Sequence, residues 1–143
     1  MSFNLLIVDD SNSMRAVIKK IVIISGFKMD KCLEANNGRE ALDLLSQNWI
    51  DIIISDINMP EVNGLELLDQ LNKNDTLKEI PVIMITTEGS SERMQEAFKR
   101  GAKGFVKKPF LPDEIKKVLY DVIGVGENGE YEEDTRNVDE CDF

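Results

Sequence analysis

The sequence predicts an α/β fold, a doubly wound parallel sheet of five strands covered by five helices, and three observations predict it. Short, unbroken apolar runs recur along the chain, as in Leu5-Leu6-Ile7-Val8, Ile52-Ile53-Ile54 and Val82-Ile83-Met84-Ile85. A strand that is apolar at every position is buried on both faces, which is the environment of a parallel sheet between helix layers. Between these runs lie stretches whose apolar residues recur with helical spacing. Finally, 143 residues with 42% hydrophobic and 31% charged side chains suit one domain that builds its own core without disulfide or metal staples.

The first strand, Leu5 to Val8, stops at Asp9-Asp10. The helix after it carries Met14, Val17, Ile18, Ile21 and Val22 in the spacing of one apolar face. Ser11 or Ser13 is suited to cap that helix, and Gly26 to end it. Met29 to Ala35 reads as a weaker strand, and Ala41, Leu44 and Leu45 mark the second helix. Ile52 to Ser55 is the third strand, followed by a helix lined by Leu65, Leu68 and Leu71. Pro81 to Ile85 forms the fourth, with Met94, Ala97 and Phe98 on its helix. Gly104 to Val106 is a short last strand, and Ile115, Val118, Leu119 and Val122 face inward from a final helix entered through Pro112 and Asp113. Right-handed crossovers and this size favour the flavodoxin-like strand order 2-1-3-4-5. A site is then expected beyond the carboxyl ends of the strands, where the order reverses.

Charge narrows the function. The chain holds 27 acidic and 17 basic residues, a formal net charge of -10. Such a chain repels nucleic acid and anionic membranes, because phosphate neutralisation by Lys and Arg dominates that affinity. With no histidine, it has no Ser-His-Asp triad, no Cys-His pair, no His-ligated zinc and no phosphohistidine of its own. Residues 124–143 contain eight acids and one Arg, a net -7, which leaves -3 for residues 1–123. The expected organisation is one domain over 1–123 and an acidic, disordered tail over 124–143. Cys32 and Cys141 form no disulfide ladder, the N-terminus has no basic region before its apolar run, and no stretch approaches the roughly 18 apolar residues of a membrane span. A cytoplasmic protein is expected. Cys32 reads as a small core hydrophobe and Trp49 as a loop aromatic.

The strand ends are chemically distinctive. The first strand closes in Asp9-Asp10, the third in Asp56, the fourth in Thr86, and the fifth runs into Lys107-Lys108-Pro109. Taken singly, each has a structural explanation: a turn carboxylate, a hydroxyl bonding backbone, a solvated lysine. Those explanations do not account for the ordered set. In a parallel sheet all these residues lie at one edge, and three carboxylates there raise one another's pKa unless a cation joins them. Oxygen ligands alone select a hard cation, Mg²⁺ being the natural choice.

Four segments, Val8-Asp9-Asp10-Ser11, Ile54 to Pro60, Met84-Ile85-Thr86 and Phe105 to Phe110, resemble the signature of the receiver domains of two-component response regulators. The resemblance spans residues 4–123. The run from Asp9 to Arg15 and the run from Asp56 to Pro60 are similar to the stand-alone chemotaxis members. The resemblance implies that Asp56 is the phosphoacceptor for a phosphohistidine on a sensor histidine kinase. It implies a Mg²⁺ ion held by Asp10, the Asp56 side chain and the backbone carbonyl of Asn58, with Asp9 acting through water. Thr86 would bond the arriving phosphoryl group and Lys108 would pair with it, while Phe105 would be the aromatic switch. The Lys108-Pro109 bond would be cis. Such a protein is no conventional enzyme, catalysing only its own phosphorylation and dephosphorylation. Its output would be protein binding through the fourth helix, fifth strand and fifth helix, to a motor switch or another output protein. The alternative is a phosphorelay intermediate that passes phosphate to a histidine phosphotransfer protein.

Three departures from the family pattern stand out. Phe105 replaces the usual Tyr, Thr87 is bulkier than the usual Ala or Gly and narrows the approach to Asp56, and Asn63-Gly64 suits a turn of positive φ. Two other classes fit less well. A phosphatase with an aspartyl-phosphate intermediate places Asp-x-Asp after its first strand, and a flavodoxin needs a neutral phosphate loop where this chain has Asp9-Asp10.

Overall fold

The apolar runs assemble side by side. The computed structural model describes residues 3–59, 62–87 and 91–123. The elements follow as β1 (Phe3–Val8), α1 (Asn12–Ile24), β2 (Met29–Ala35), α2 (Gly38–Leu45), β3 (Ile52–Asp56), α3 (Gly64–Asn72), β4 (Val82–Thr86), α4 (Ser91–Lys99), β5 (Gly104–Lys107) and α5 (Pro112–Ile123). The sheet has the order β2-β1-β3-β4-β5, with every neighbouring pair parallel. This is the predicted arrangement. Pro60 of the family-like motif and residues 124–143, with the expectation of a disordered tail, lie outside the described residues. Among the described residues no helix is long and apolar enough to cross a membrane.

The continuous apolar runs have a direct cause in the two-sided core. Side chains alternate across a strand. Leu6, Val8, Ile53 and Met84 therefore pack on one side with Ala41, Leu68, Leu71 and Ala97 of α2, α3 and α4. Leu5, Ile7, Ile52, Ile54, Ile83 and Ile85 pack on the other with Ile18 and Val22 of α1 and Ile115 and Leu119 of α5. The edge strand β2 reads weaker because Asp30, Lys31 and Glu34 meet solvent. Cys32 of that strand is half-buried against the second layer, and burial pushes its thiol pKa up.

Several details differ from the sequence reading. Ser11, not Ser13, caps α1, its hydroxyl accepting the Met14 N–H at 3.1 Å. The inward stripe of α1 runs through Arg15, Ile18 and Val22. At about 100° per residue Val17 falls on the far side of that stripe, and it is exposed. On α4 only Ala97 is buried, and Met94 and Phe98 are exposed rather than inward-facing. The fourth strand begins after Pro81 and extends to Thr86, and the fifth continues to Lys107.

The pair Asn63-Gly64 makes no positive-φ turn. Asn63 has φ of -80° and is the N-cap of α3, accepting from Glu66 N–H while the Glu66 carboxylate accepts from Asn63 N–H. Gly64 serves a different need. Its N–H donates to the Ile57 carbonyl at 2.9 Å, and a Cβ there would lie 2.9 Å from the Ile57 Cα and closer still to the Asp56 carbonyl oxygen. These are backbone atoms, so α3 starts this near the end of β3 only with glycine. Gly64→Ala is expected to destabilise by about 2 kcal/mol, read as a lower urea midpoint with unchanged slope. An unchanged midpoint would mean that the loop yields freely.

Candidate functional site

Parallel registers bring the chemistry together. Val8 pairs with Ser55, Asp56 with Ile85, and Thr86 with Lys107. The residues that end β1, β3, β4 and β5 consequently share one edge of the sheet. Carboxylate oxygens of Asp9, Asp10 and Asp56 lie within 4.8 Å of one another. Asp9 is buried at 2% exposure, while Asp10 is exposed.

Among the described residues one cation reaches into the cluster. Lys108 Nζ stands 3.2 Å from Asp9 Oδ2 and 3.9 Å from Asp56 Oδ1. Its backbone is fixed to the neighbouring strand, Lys108 N–H donating to the Thr86 carbonyl at 2.8 Å. The Lys108-Pro109 peptide is cis, as the resemblance implied. Asp9 Oδ1 accepts from Ser11 N–H at 2.9 Å, and Asp56 Oδ1 accepts from Ile57 N–H at 2.9 Å. Among the described residues no hydrogen bond or ion pair holds the Asp10 carboxylate.

The electrostatics follow from this inventory. Burial is the largest influence on Asp56 and pushes its carboxyl up to about 6; Lys108 pulls it down, and Asp9 and Asp10 push it further up. Three carboxylates against one ammonium leave an excess of negative charge. Among the described residues the donors are oxygens only, the Asp10 carboxylate has no hydrogen-bond or ion-pair partner, and no thiol joins the cluster. That donor set fits a hard divalent cation of the Mg²⁺ kind.

Around the cluster, Thr86 is fully buried at the end of β4. Phe105 on β5 pairs with Met84, is half-buried against the α2–α3 side of the core, and sets its ring 6.5 Å from that of Phe98. Thr87 is exposed beside Thr86. Asn58 lies in the loop after β3, where its side-chain oxygen accepts from Arg93 Nη2 at 3.5 Å.

Comparison with known proteins agrees with this geometry. The family model described as the response regulator receiver domain matches residues 5–120. The chain belongs to the response regulator receiver family. The receiver is 43% identical over 123 residues to the "Chemotaxis protein CheY homolog" of Campylobacter jejuni, covering 85% of this chain and 93% of that relative. It is 41% identical over 124 residues to "Chemotaxis protein CheY1" of Helicobacter pylori, covering 86% and 98%. Among solved structures, chemotaxis protein CheY4 of Vibrio cholerae superposes with a TM-score of 0.76 at 36% identity, covering 85% of this chain and 99% of that one.

The receiver also holds a buried charge whose role sequence spacing alone does not reveal. Arg15 is buried at 6% exposure and donates to the Asp9 carbonyl, Asn12, Glu34 and Asn36. The signal was present: positions 15, 18 and 22 share one helix face, so the inward stripe of α1 opens with a charge.

Proposed function

We propose that this receiver takes a phosphoryl group onto Asp56 from a phosphohistidine of a sensor histidine kinase, with Mg²⁺ in the acid cluster, and signals in chemotaxis by binding an output protein. One observation carries the reading: Asp9, Asp10 and Asp56 converge within 4.8 Å with Lys108 reaching among them. An acid cluster of that density repels a phosphoryl group unless cations balance it. A bound Mg²⁺ supplies neutralisation of charge on phosphoryl oxygens. Asp10, the Asp56 side chain and the Asn58 backbone carbonyl would hold it, with Asp9 acting through water.

The remaining steps belong to the chain's own residues. An Asp56 carboxylate oxygen attacks phosphorus, the donor's P–N bond breaks, and the electron pair leaves with the imidazole nitrogen. Lys108 would pair with the new phosphoryl oxygens, at the cost of its contact with Asp56. Thr86, at the neighbouring strand end, offers its hydroxyl to the same group. A hydrogen bond formed only in the phosphorylated state shifts the population of the Thr86 and Phe105 arrangements. Phe105 touches Phe98 of α4, so the shift would reach the face of α4, β5 and α5, proposed as the partner surface. Having no hydroxyl, Phe105 leaves no buried polar group unsatisfied when it turns inward.

The test is direct. Incubation with acetyl phosphate and Mg²⁺ is expected to add one phosphoryl mass to the peptide containing Asp56, detected by peptide mass spectrometry. The addition should vanish in Asp56→Asn and in excess EDTA. Label on another residue, or uptake indifferent to EDTA, would overturn the assignment.

A further inference from the structure

The guanidinium of Arg15 joins three segments of the chain. Nη1 donates to the Asp9 carbonyl at 2.5 Å and to Asn36 Oδ1 at 2.7 Å, Nε donates to Glu34 Oε1 at 2.9 Å, and Nη2 donates to Asn12. A buried guanidinium is costly unless its donors are paired, and this one is tied on every side. Asn36 is itself anchored, its backbone and side-chain N–H groups donating to Glu40 Oε1 at 2.8 and 3.1 Å.

The Asp9 carbonyl is the acceptor with chemical consequence. Asp9 N–H donates to the Ala35 carbonyl at 3.1 Å, so residue 9 is held at both its amide and its carbonyl. The peptide leading on to Asp10 therefore has a fixed orientation. Asp10 has no side-chain partner among the described residues, so its carboxylate is aimed by backbone alone. From this we infer that Arg15 is a positioning residue that sets Asp10 for the divalent cation, an inference resting on the Mg²⁺ reading of the acid cluster. Ligand supports of this kind typically govern metal affinity by about 10–100-fold.

Charge and positioning make opposite predictions, which makes the inference testable. By charge alone, removing a cation near the acids tightens Mg²⁺ binding. By positioning, removing the guanidinium weakens it. Lysine keeps the charge but cannot span the same acceptors. The experiment titrates Mg²⁺ calorimetrically into the full chain carrying Arg15→Gln, Arg15→Lys or Glu34→Gln, with thermal unfolding recorded for each. Both Arg15 variants are expected to lose about tenfold in Mg²⁺ affinity. Glu34→Gln, which leaves the Asp9 carbonyl bond in place, should stay within about threefold of the wild type.

Unchanged or tighter binding in Arg15→Gln overturns the inference, as does an equal loss in Glu34→Gln. If the Arg15 variants do not fold, the double variant Asn12→Ala/Asn36→Ala takes their place, because it strips Nη2 of its acceptor and frees Nη1, the nitrogen that also holds the Asp9 carbonyl, whereas Glu34 engages only Nε. Weakened Mg²⁺ binding supports the inference and unchanged binding overturns it. A wild-type chain that takes up no Mg²⁺ overturns the metal reading and this inference together. Binding to the wild type that the Arg15 variants match overturns this inference alone.

Discussion

Lys108→Met is expected to lower the stability of the metal-free protein by about 3 kcal/mol, because it strands a buried carboxylate. Asp9 is 2% exposed and the Lys108 side chain 11%, so water cannot replace the lost ammonium. Asp56 loses the influence that most lowers its pKa, and the cluster retains three acids without a cation. Urea unfolding in EDTA reads the loss, and repeating it in millimolar Mg²⁺ should recover much of it. The variant should also be slow to accept phosphate from acetyl phosphate, even when Mg²⁺ has restored its fold. A midpoint within experimental error of the wild type in EDTA would show that the cluster relaxes without its lysine.

Asp56→Asn is expected to act in the opposite direction on stability while removing phosphorylation altogether. The folded carboxyl has a pKa of about 6, against 3.8 for the free group. Between those values the folded state binds more protons than the unfolded state, so stability falls as pH rises across that window. Above pH 6 the wild type carries the full penalty of an ionised, half-buried carboxylate, about 2–3 kcal/mol at one pKa unit per 1.4 kcal/mol. Asparagine does not ionise. Its gain over the wild type in EDTA should be near zero at pH 4, grow through pH 6 and level off above it. Mg²⁺ should erase most of the difference by stabilising only the wild type. A gain independent of pH would locate the effect in packing rather than ionisation.

Much of the architecture was legible in the chain because burial on two faces leaves an unmistakable mark. Leu5 to Val8 and Ile52 to Ile54 have no polar position, which suits only a strand between two helix layers. The order 2-1-3-4-5 adds no independent support, since the chemotaxis receiver CheY is itself a standard example of it. The acids and Lys108 were legible for a related reason: parallel strands end together, so strand-end chemistry is shared chemistry. What escaped the reading were features set by three-dimensional proximity. Periodicity could not tell that Val17 and Phe98 face water while Arg15 faces inward, because helix rotation is decided by what lies beneath. Local turn chemistry suggests a positive-φ turn at Asn63-Gly64, whereas the need for glycine lies in the carbonyl of Asp56, eight positions before Gly64. Arg15 stands inside a family-like run, but its partners Glu34 and Asn36 lie on β2 and the loop beyond it, about 20 positions away in sequence.

Trp49 decides which optical measurements can follow this switch. It is the chain's single tryptophan, 76% exposed, with its indole N–H on Asp51 Oδ1 at 2.9 Å. It precedes β3, whereas Asp56 ends it, so the length of the strand, roughly 15–20 Å, separates the fluorophore from the acids. An indole already in water has little spectral change left to show on unfolding, and among the described residues the hydrogen bonds of Trp49 run to Asn4 and Asp51, not to the acid cluster. A flat emission titration with Mg²⁺ or beryllofluoride would therefore describe the remoteness of the reporter, and calorimetry, mass spectrometry or side-chain NMR has to carry the measurement.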